Sequence, residues 1–266
     1  MTSKNTLIIG TRGSALALAQ ADMVRAALSA LHPGLDIRRE IIRTTGDRRM
    51  DVPLADVARV SGIVDKGIFI KELETALLEG RIDVAVHSLK DVPSELAPEF
   101  RLPAVLPRAA AEDVLITKEP DWNGRGTLAT GSVRRRLMAR TYWGRQLRFE
   151  DLRGNVPTRL EKLVEHPEWD AVILAKAGLE RLGLYAPETV VQGRKLYMRP
   201  LPVEAFIPAV GQGIVGMECR ASDRKTKELL AGINDVETCA CGVAERTFLV
   251  RPVSYTHLTL PTILLV

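Results

Sequence analysis

The sequence predicts an α/β protein made of two lobes joined by a double hinge. Segments of strand type alternate with segments of helical period through most of the 266 residues, and this alternation is typical of parallel sheets covered by helices. Two proline-spaced stretches, residues 98–107 and 200–208, are each flanked by regular segments, and proline favours stiff, extended connectors. If both stretches cross between the same two lobes, a ligand is expected in the crevice at the carboxyl ends of the strands.

The N-terminal segments form one βα unit followed by a second helix and strand. Residues 6–9 indicate a buried strand, residues 10–13 a turn, and Ser14 the N-cap of a helix. Gly80 is placed to end the next helix, and residues 83–86 predict the strand after it. The apolar positions that predict the two helices are, in the first, Leu18, Ala21, Val24 and Leu28 and, in the second, Phe69, Ile70, Leu73, Ala76 and Leu77.

A similar arrangement recurs in the second hundred residues. Residues 128–130 indicate a strand, Gly131 and Ser132 a turn, and Val133 the start of a helix. The repetition predicts a second site built like the first. Two unrelated βα turns would give the same pattern, and the sequence leaves both interpretations open.

Composition excludes several classes of protein. With 46% hydrophobic and 26% charged residues, the chain is neither intrinsically disordered nor a small disulfide scaffold. No apolar run approaches the roughly 20 residues of a membrane-spanning helix, and the N-terminus resembles no signal peptide, so we expect a cytoplasmic protein without a membrane partner. The three cysteines lack the paired spacing of a zinc site, and no metal is predicted.

The first candidate for catalysis is Asp91. The strand predicted over residues 82–86 runs directly into HSLKDVP, and the carboxyl end of a buried parallel strand is where open α/β sheets hold ligands. An acid beside Lys90 in that position can be tuned for proton transfer. The alternative is a solvated Lys–Asp pair on a surface loop, worth about 0–1 kcal/mol.

Arginines cluster at several predicted helix starts. Guanidinium groups bind carboxylates or phosphates through two hydrogen bonds, and helix N-termini also favour anions, so the predicted ligand is polyanionic. A nucleic acid fits less well, because only 5% of residues are aromatic and no DNA-binding motif is present. Nucleotides are disfavoured because GTRGSA lacks the Walker lysine. Arg136 and Arg140 are expected on the outside of their helix. The candidates for binding the polyanion are Arg12, Arg134, Arg135, Arg153 and Arg159.

Five motifs taken in order carry a resemblance to a known family. They are IIGTRGSALALAQ, KGIFIKELETALLEGRIDVAVHSLKDVP, LRGNVPTRLEKL, AGLERLGL and FIPAVGQGIVGMECR. Together they resemble the porphobilinogen deaminase family, also called hydroxymethylbilane synthases, over residues 6 to about 249. The resemblance implies a transferase of tetrapyrrole (porphyrin, heme) biosynthesis that condenses four porphobilinogen units onto a dipyrromethane cofactor, releases ammonia at each step and yields hydroxymethylbilane.

The resemblance also assigns roles to residues. Asp91 becomes the catalytic carboxylate, which stabilises the cationic methylene-pyrrolenine formed when ammonia leaves porphobilinogen. Lys66 and Lys71 match a mobile loop and the following helix that cover the site, and Thr130 and Ser132 add polar contacts. The residues that match binding positions for cofactor or substrate carboxylates are Arg12, Ser14, Ser88, Lys90, Arg134, Arg135, Arg153, Arg159 and Arg181.

The family's fold implies a domain division. It has two lobes similar to type II periplasmic binding proteins plus a small C-terminal α/β domain. We therefore expect lobe 1 at residues 1–104 and 205–222, lobe 2 at residues 105–204, an incomplete third domain at residues 223–251, and an atypical tail at residues 252–266. The family implies a monomer without a nucleic-acid partner.

One feature of the family is missing from the sequence. Its cofactor is attached to a cysteine in a Gly-Gly-Cys turn after a helix similar to VAERTFL, and here no such turn follows. Cys219, Cys239 and Cys241 are not expected to replace it. We therefore expect a truncated or foreign C-terminus, no covalent dipyrromethane and no turnover by the chain as printed. The alternative function is a two-lobed protein that binds a small polyanion without catalysis.

Overall fold

The computed structural model describes residues 6–44 and 70–250. Within these ranges the helices and strands alternate as predicted and form two separate sheets. The α/β class is therefore confirmed. The prediction of parallel sheets is confirmed only in part, because strands that arrive through the crossing segments enter each sheet in the antiparallel direction.

The first sheet has the strand order β2-β1-β3-β11-β4. Its strands are β1 (Thr6–Thr11), β2 (Asp36–Ile41), β3 (Val84–Ser88), β4 (Phe100–Val105) and β11 (Val215–Arg220). The strand predicted at residues 82–86 begins two residues later. β1 pairs in parallel with β2 and β3, whereas β11 runs antiparallel to β3 and β4.

Helices cover both faces of this sheet. Helix α1 (Ala15–Leu31) packs Val24 and Leu28 against Val84 of β3, whereas helix α2 (Lys71–Leu78) packs its buried side chains with Ala85. Successive residues of a strand point to opposite faces, so the two helices lie on opposite sides. Gly80 follows α2 with a φ of 71° and ends the helix as predicted. Phe69, also predicted for this helix, lies outside the described residues.

The second sheet has the order β7-β6-β8-β5-β10-β9. Its strands are β5 (Asp113–Thr117), β6 (Gly126–Ala129), β7 (Leu147–Glu150), β8 (Ala171–Ala175), β9 (Glu188–Val191) and β10 (Arg194–Pro200). β6 is parallel to β7 and β8, and the remaining pairs are antiparallel. The associated helices are α3 (Val133–Trp143), α4 (Val156–Glu165) and α5 (Lys176–Arg181). Buried residues of α3 and α4 belong to separate apolar clusters on the two faces.

The chain crosses twice between the sheets, through residues 106–112 (the first crossing segment) and 201–214 (the second). The proline-spaced stretch 98–107 is therefore only partly a connector, because most of it forms β4. This strand lies at the sheet edge, and its pairing with β11 shifts register between Met217 and Cys219. An edge strand tolerates Pro103, which has no N–H to donate.

Two helices follow β11, namely α6 (Arg224–Ala231) and α7 (Val236–Val250). Helix α7 contacts both crossing segments: the guanidinium of Arg108 is paired with the Glu245 carboxylate, and the backbone N–H of Gly211 donates to the same carboxylate at 2.7 Å. Cys239 and Cys241 lie within this helix. The predicted tail, residues 252–266, lies outside the described residues.

Candidate active site

Three helices begin after the carboxyl ends of strands, where open α/β sheets hold their ligands. Ser14, Ser132 and Asn155 cap α1, α3 and α4, and each side-chain oxygen accepts from the backbone N–H three residues later, at 3.3, 3.3 and 3.0 Å. Pro157 occupies the first turn of α4. The predicted cap at Ser14 is therefore present, and Ser132, which was predicted as a turn residue before the helix, also acts as a cap. The helix N-termini add positive potential at these ends.

Lys90 and Asp91 lie in a single 3₁₀ turn, Leu89–Asp91, directly after β3. Leu89 is buried and its N–H donates to the carbonyl of Ile214 at 2.9 Å, which fixes the start of the turn. After the turn, the guanidinium of Arg246 on α7 donates to the carbonyls of Val92, Pro93 and Ser94 at 3.3, 2.6 and 2.9 Å. The turn is held from both sides, and both Lys90 and Asp91 remain partly exposed.

A recess of about 70 Å³ adjoins Asp91. Predicted site residues Arg12, Ser14, Ser88 and Asp91 line it, together with Gln20. The side-chain amide of Gln20 donates to the Ser88 hydroxyl at 2.8 Å, which leaves the hydroxyl proton able to donate to a ligand oxygen. The recess therefore combines a carboxylate with donors for an anionic group.

Cations from the second sheet face the Lys90–Asp91 turn. Burial and the positive charge of Arg135 lower the pKa of Lys90 to about 8, while Asp91 and Asp113 raise it and Arg159 lowers it further. Burial and Arg135 also lower the pKa of Arg159 to about 10, with Asp91 acting in the opposite direction and Arg153 in the same one. Such mutual effects require proximity. The structure thus brings Lys90, Asp91, Arg135 and Arg159 into one electrostatic neighbourhood.

Arg134 and Arg135 are held by a buried carboxylate that the sequence analysis did not identify. Asp113 is fully buried at the start of β5; it accepts from Arg134 at 2.6 Å and from Arg135 at 2.7 Å. Arg135 also donates to the carbonyl of Ile173 at 2.8 Å, and Arg134 to that of Ile207 at 2.6 Å. One carboxylate faces two guanidiniums, so this group keeps a net positive charge.

The remaining predicted site residues are spread around this centre. The Thr130 hydroxyl accepts from the N–H of Ser132 at 3.2 Å and orders the turn before α3. Arg159 donates to the carbonyl of Gly154 at 2.7 Å, and Arg153, partly exposed, makes no hydrogen bond or ion pair with any residue in the two described ranges. Arg181 donates to the carbonyl of Gly213 at 2.6 Å, although its buried Nε has no partner among the described residues.

Two lysines and two arginines complete the placement of the predictions. Lys71 is exposed at the first residue of α2, next to Ile70, which lines the recess. Lys66 lies outside the described residues. Arg136 pairs with Asp151 and the Arg140 guanidinium lies 5.3 Å from the Phe149 ring centre, so both cover the outside of α3 as expected. Within the described part of the chain, no group of three metal-ligating side chains and no helix long and apolar enough to cross a membrane is found.

None of the three cysteines lines the recess. Cys219 is fully buried in β11, and burial raises the pKa of its thiol to about 11. Cys239 is half-buried against the apolar cluster beneath Leu89, and Cys241 is exposed. Within the described residues, the three thiols therefore lie away from the residues that line the recess.

Thiol alkylation tests this placement. With iodoacetamide at pH 8, we expect Cys241 to react first and Cys219 at least roughly a hundredfold more slowly, because a thiol with a pKa of about 11 has little thiolate at that pH. Mass spectrometry of the peptides against time gives the rates, and labelling in denaturant serves as the control. Equal rates for Cys219 and Cys241 in the native protein would contradict the placement.

The chain resembles known proteins over most of its length. Residues 7–228 match the family model described as porphobilinogen deaminase, dipyromethane cofactor binding domain. The porphobilinogen deaminase of Syntrophotalea carbinolica is 43% identical over 254 residues, covering 94% of this chain and 75% of that protein. That of Roseiflexus castenholzii is 44% identical over 253 residues, covering 93% and 78%. Among solved structures, the benzoate-bound effector binding domain of BenM has a TM-score of 0.49 at 14% identity, covering 87% of this chain and 91% of that one.

Proposed function

The chain belongs to the porphobilinogen deaminase family, and we propose that its reaction takes place where the turn of Lys90 and Asp91 faces Arg135 and Arg159. It is an enzyme of tetrapyrrole biosynthesis whose substrate is the small molecule porphobilinogen. One set of contacts carries the proposed location: Lys90 on the first sheet donates to the side-chain oxygen of Gln212, and the nitrogen of the same amide donates to the Asp113 carboxylate that holds Arg135 on the second.

The donor set fits the family's cofactor. Dipyrromethane, like porphobilinogen, carries an acetate and a propionate on each ring, so bound rings present several carboxylates. Unit charges about 4 Å apart repel by roughly 4 kcal/mol at an effective dielectric of about 20, and this repulsion requires positive partners. Dipyrromethane, when bound, supplies the growing end to which the pyrrole units are joined. The residues proposed to hold these carboxylates are Arg12, Ser14, Ser88, Lys90, Thr130, Ser132, Arg134, Arg135, Arg153, Arg159 and Arg181.

These binding residues do not contribute equally. Arg153 has hydrogen-bonding capacity that the described residues do not use, so we assign it a direct contact with a ligand carboxylate. Several N–H groups of Arg134 and Arg135 already donate to Asp113 and to backbone carbonyls. These two arginines therefore contribute mainly a fixed positive charge near the ligand. The buried Nε of Arg181 is a further donor that a ligand carboxylate would satisfy.

Asp91 is proposed to act on the charge that develops during the reaction. When ammonia leaves porphobilinogen, the C–N electron pair departs with nitrogen and the aminomethyl carbon becomes part of a cation conjugated with the pyrrole. An ionised carboxylate beside the pyrrole N–H stabilises this cation as it forms. A pyrrole ring to which a new unit has been joined must lose a proton to become aromatic again. A carboxylate oxygen of Asp91 is also a suitable acceptor for this proton.

The organisation of the chain is proposed as predicted from the sequence. We assign residues 1–104 and 205–222 to lobe 1, residues 105–204 to lobe 2, residues 223–251 to a third domain and residues 252–266, on their sequence alone, to an atypical tail. We also propose a cytoplasmic monomer that needs no nucleic-acid or membrane partner. The family resemblance assigns Lys66 and Lys71 to a segment that covers the site. The position of Ile70 at the recess supports this role for its neighbour Lys71, whereas Lys66 lies outside the described residues.

Incubation with porphobilinogen tests the function. The chain as printed is expected to bind porphobilinogen without turnover, because the family's Gly-Gly-Cys turn is missing from it. In a variant that carries this turn, we expect ammonia to be released in step with substrate consumption, and a uroporphyrin colour to appear after oxidation of the product. This variant is the parent protein in every turnover measurement below. Calorimetric titration with porphobilinogen under the same conditions measures binding independently. Binding without ammonia or colour in this variant would instead support the two-lobed binding protein, and absence of binding would contradict both functions.

A further inference from the structure

Residues 211–213 form a Gly-Gln-Gly turn at which the two crossing segments meet. The carbonyl of Gly213 accepts from the N–H of Ala109 at 3.1 Å and from Arg181 at 2.6 Å. Gly213 has a φ of 86°, and a Cβ there would lie 2.4 Å from the carbonyl oxygen of Ala109. A side chain at this position would force the two segments apart. The turn therefore fixes how closely the crossing segments approach each other.

The side chain of Gln212 is buried at this junction and its orientation is determined by its partners. Its Nε2 donates to the carbonyl of Ala111 at 2.7 Å and to the Asp113 carboxylate at 3.1 Å. Both partners can only accept hydrogen bonds, so this end of the amide must be the nitrogen. The amide oxygen consequently faces Lys90, with the Nζ atom 3.4 Å away.

We propose that Gln212 is a positioning residue: its amide links the ammonium of Lys90 on the first sheet to the Asp113 carboxylate that holds Arg134 and Arg135 on the second. The inference deepens the proposed function and rests on it for the identity of the substrate carboxylates. Gln212 itself touches no reacting atom in this account. Through its amide oxygen, Gln212 keeps the charged Lys90 side chain directed at the crevice. Through its amide nitrogen, it donates to Asp113 at the same time.

The electrostatics around Lys90 make this role measurable. The charged groups that act on it are Asp91 on its own turn, Arg135 on α3, Asp113 on β5 and Arg159 on α4. Arg135 and Arg159 disfavour the protonated amine of Lys90. The side-chain carbonyl of Gln212 is a neutral dipole close to this amine and favours its protonated form. With a pKa of about 8, Lys90 titrates within the range that chemical labelling can follow.

The first test measures the titration of Lys90 without any turnover. Competitive acetylation with acetic anhydride from pH 6 to 11, followed by peptide mass spectrometry, gives the pKa in the parent protein, in Gln212→Met and in Gln212→Asn. We expect the pKa of Lys90 to fall by about one unit in Gln212→Met, which removes the dipole at similar shape, and also to fall in Gln212→Asn, whose shorter amide cannot reach both Lys90 and Asp113. An unchanged titration in both variants would overturn the proposal. If Gln212→Met does not fold, Gln212→Asn alone decides.

The second test separates positioning from a structural role. We expect KM for porphobilinogen to rise about tenfold in Gln212→Met while kcat changes less than about threefold, as for a residue that orients a binding charge. Leu28→Ala, a cavity variant in the core of the first sheet, supplies a destabilised control whose KM should not change. A KM increase in that control as large as in Gln212→Met would contradict positioning. If the parent protein consumes no porphobilinogen, the proposed function is contradicted. The titration of Lys90, which needs no turnover, still tests the positioning role of Gln212.

Discussion

Replacing Asp91 with asparagine is expected to lower porphobilinogen turnover by about two to four orders of magnitude, the usual contribution of a positioned acid–base or charge-stabilising group. Asparagine keeps the shape of the side chain but removes its charge, so the cation formed on loss of ammonia loses its nearest negative partner. Ammonia release, measured with the parent and variant at matched concentration, gives the ratio directly.

Binding and fold should survive this substitution. Asp91 is partly exposed and Leu89 and Arg246 hold its turn through groups that the change does not alter. We expect the melting temperature and the calorimetric affinity for porphobilinogen to stay close to those of the parent. Glu95→Gln, which removes an exposed carboxylate four residues further along, should turn over normally. An Asp91→Asn variant with more than about a tenth of the parent activity would rule out the proposed role.

Asp113→Ala is expected to lower the free energy of unfolding by about 3–5 kcal/mol, because it leaves the buried Arg135 and the half-buried Arg134 without their anionic partner. Chemical denaturation monitored by tryptophan fluorescence measures the change. Asp121→Ala, at an exposed carboxylate, should alter stability little. The double variant Asp113→Leu, Arg135→Met should recover part of the loss, since it also removes the more deeply buried of the two charges left without a partner.

The same carboxylate predicts the direction of the pH dependence. Burial alone would raise the pKa of Asp113, but Arg135 and Arg134 outweigh burial and the pKa lies below its ordinary value. The carboxylate therefore contributes stability above the ordinary pKa of an aspartate, and this contribution is lost as the pH falls through the lowered value. The free energy of unfolding should fall less on acidification in Asp113→Ala than in the parent. Parallel curves for the two proteins would contradict the assignment.

Local sequence signals predicted the helix starts correctly. Ser14 and Ser132 were identifiable because an N-cap depends on its own residue and the next three, and Gly80 because a helix end depends on a nearby residue that adopts positive φ. The Lys90–Asp91 turn was identifiable because it follows an apolar strand. Most of the candidate site residues that the sequence predicts are those whose position is set by a strand end or a helix start within a few residues.

The partners of those residues were not predictable in the same way. Asp113 is 22 positions from Arg135, and Gln212 is 122 positions from Lys90. A buried aspartate at the start of an apolar strand has no local signature that distinguishes it from a turn residue. The GQG motif itself was visible, but its role depends on which segments the tertiary fold brings to it. The antiparallel entry of β11 and β5 was missed for the same reason, since strand direction depends on the route of the crossing segments.

The contacts that Arg246 makes with residues 92–94 have a consequence for how the protein is made. About 150 residues separate Arg246 from the carbonyls that it contacts in the sequence. During synthesis on the ribosome, the Arg246 guanidinium therefore becomes available only when almost all of the described chain has been made. Until then the nascent polypeptide holds its key turn with only part of the final hydrogen bonding. Shortened translation products should therefore be recognised by proteases at this early loop, although the loop itself is encoded in full.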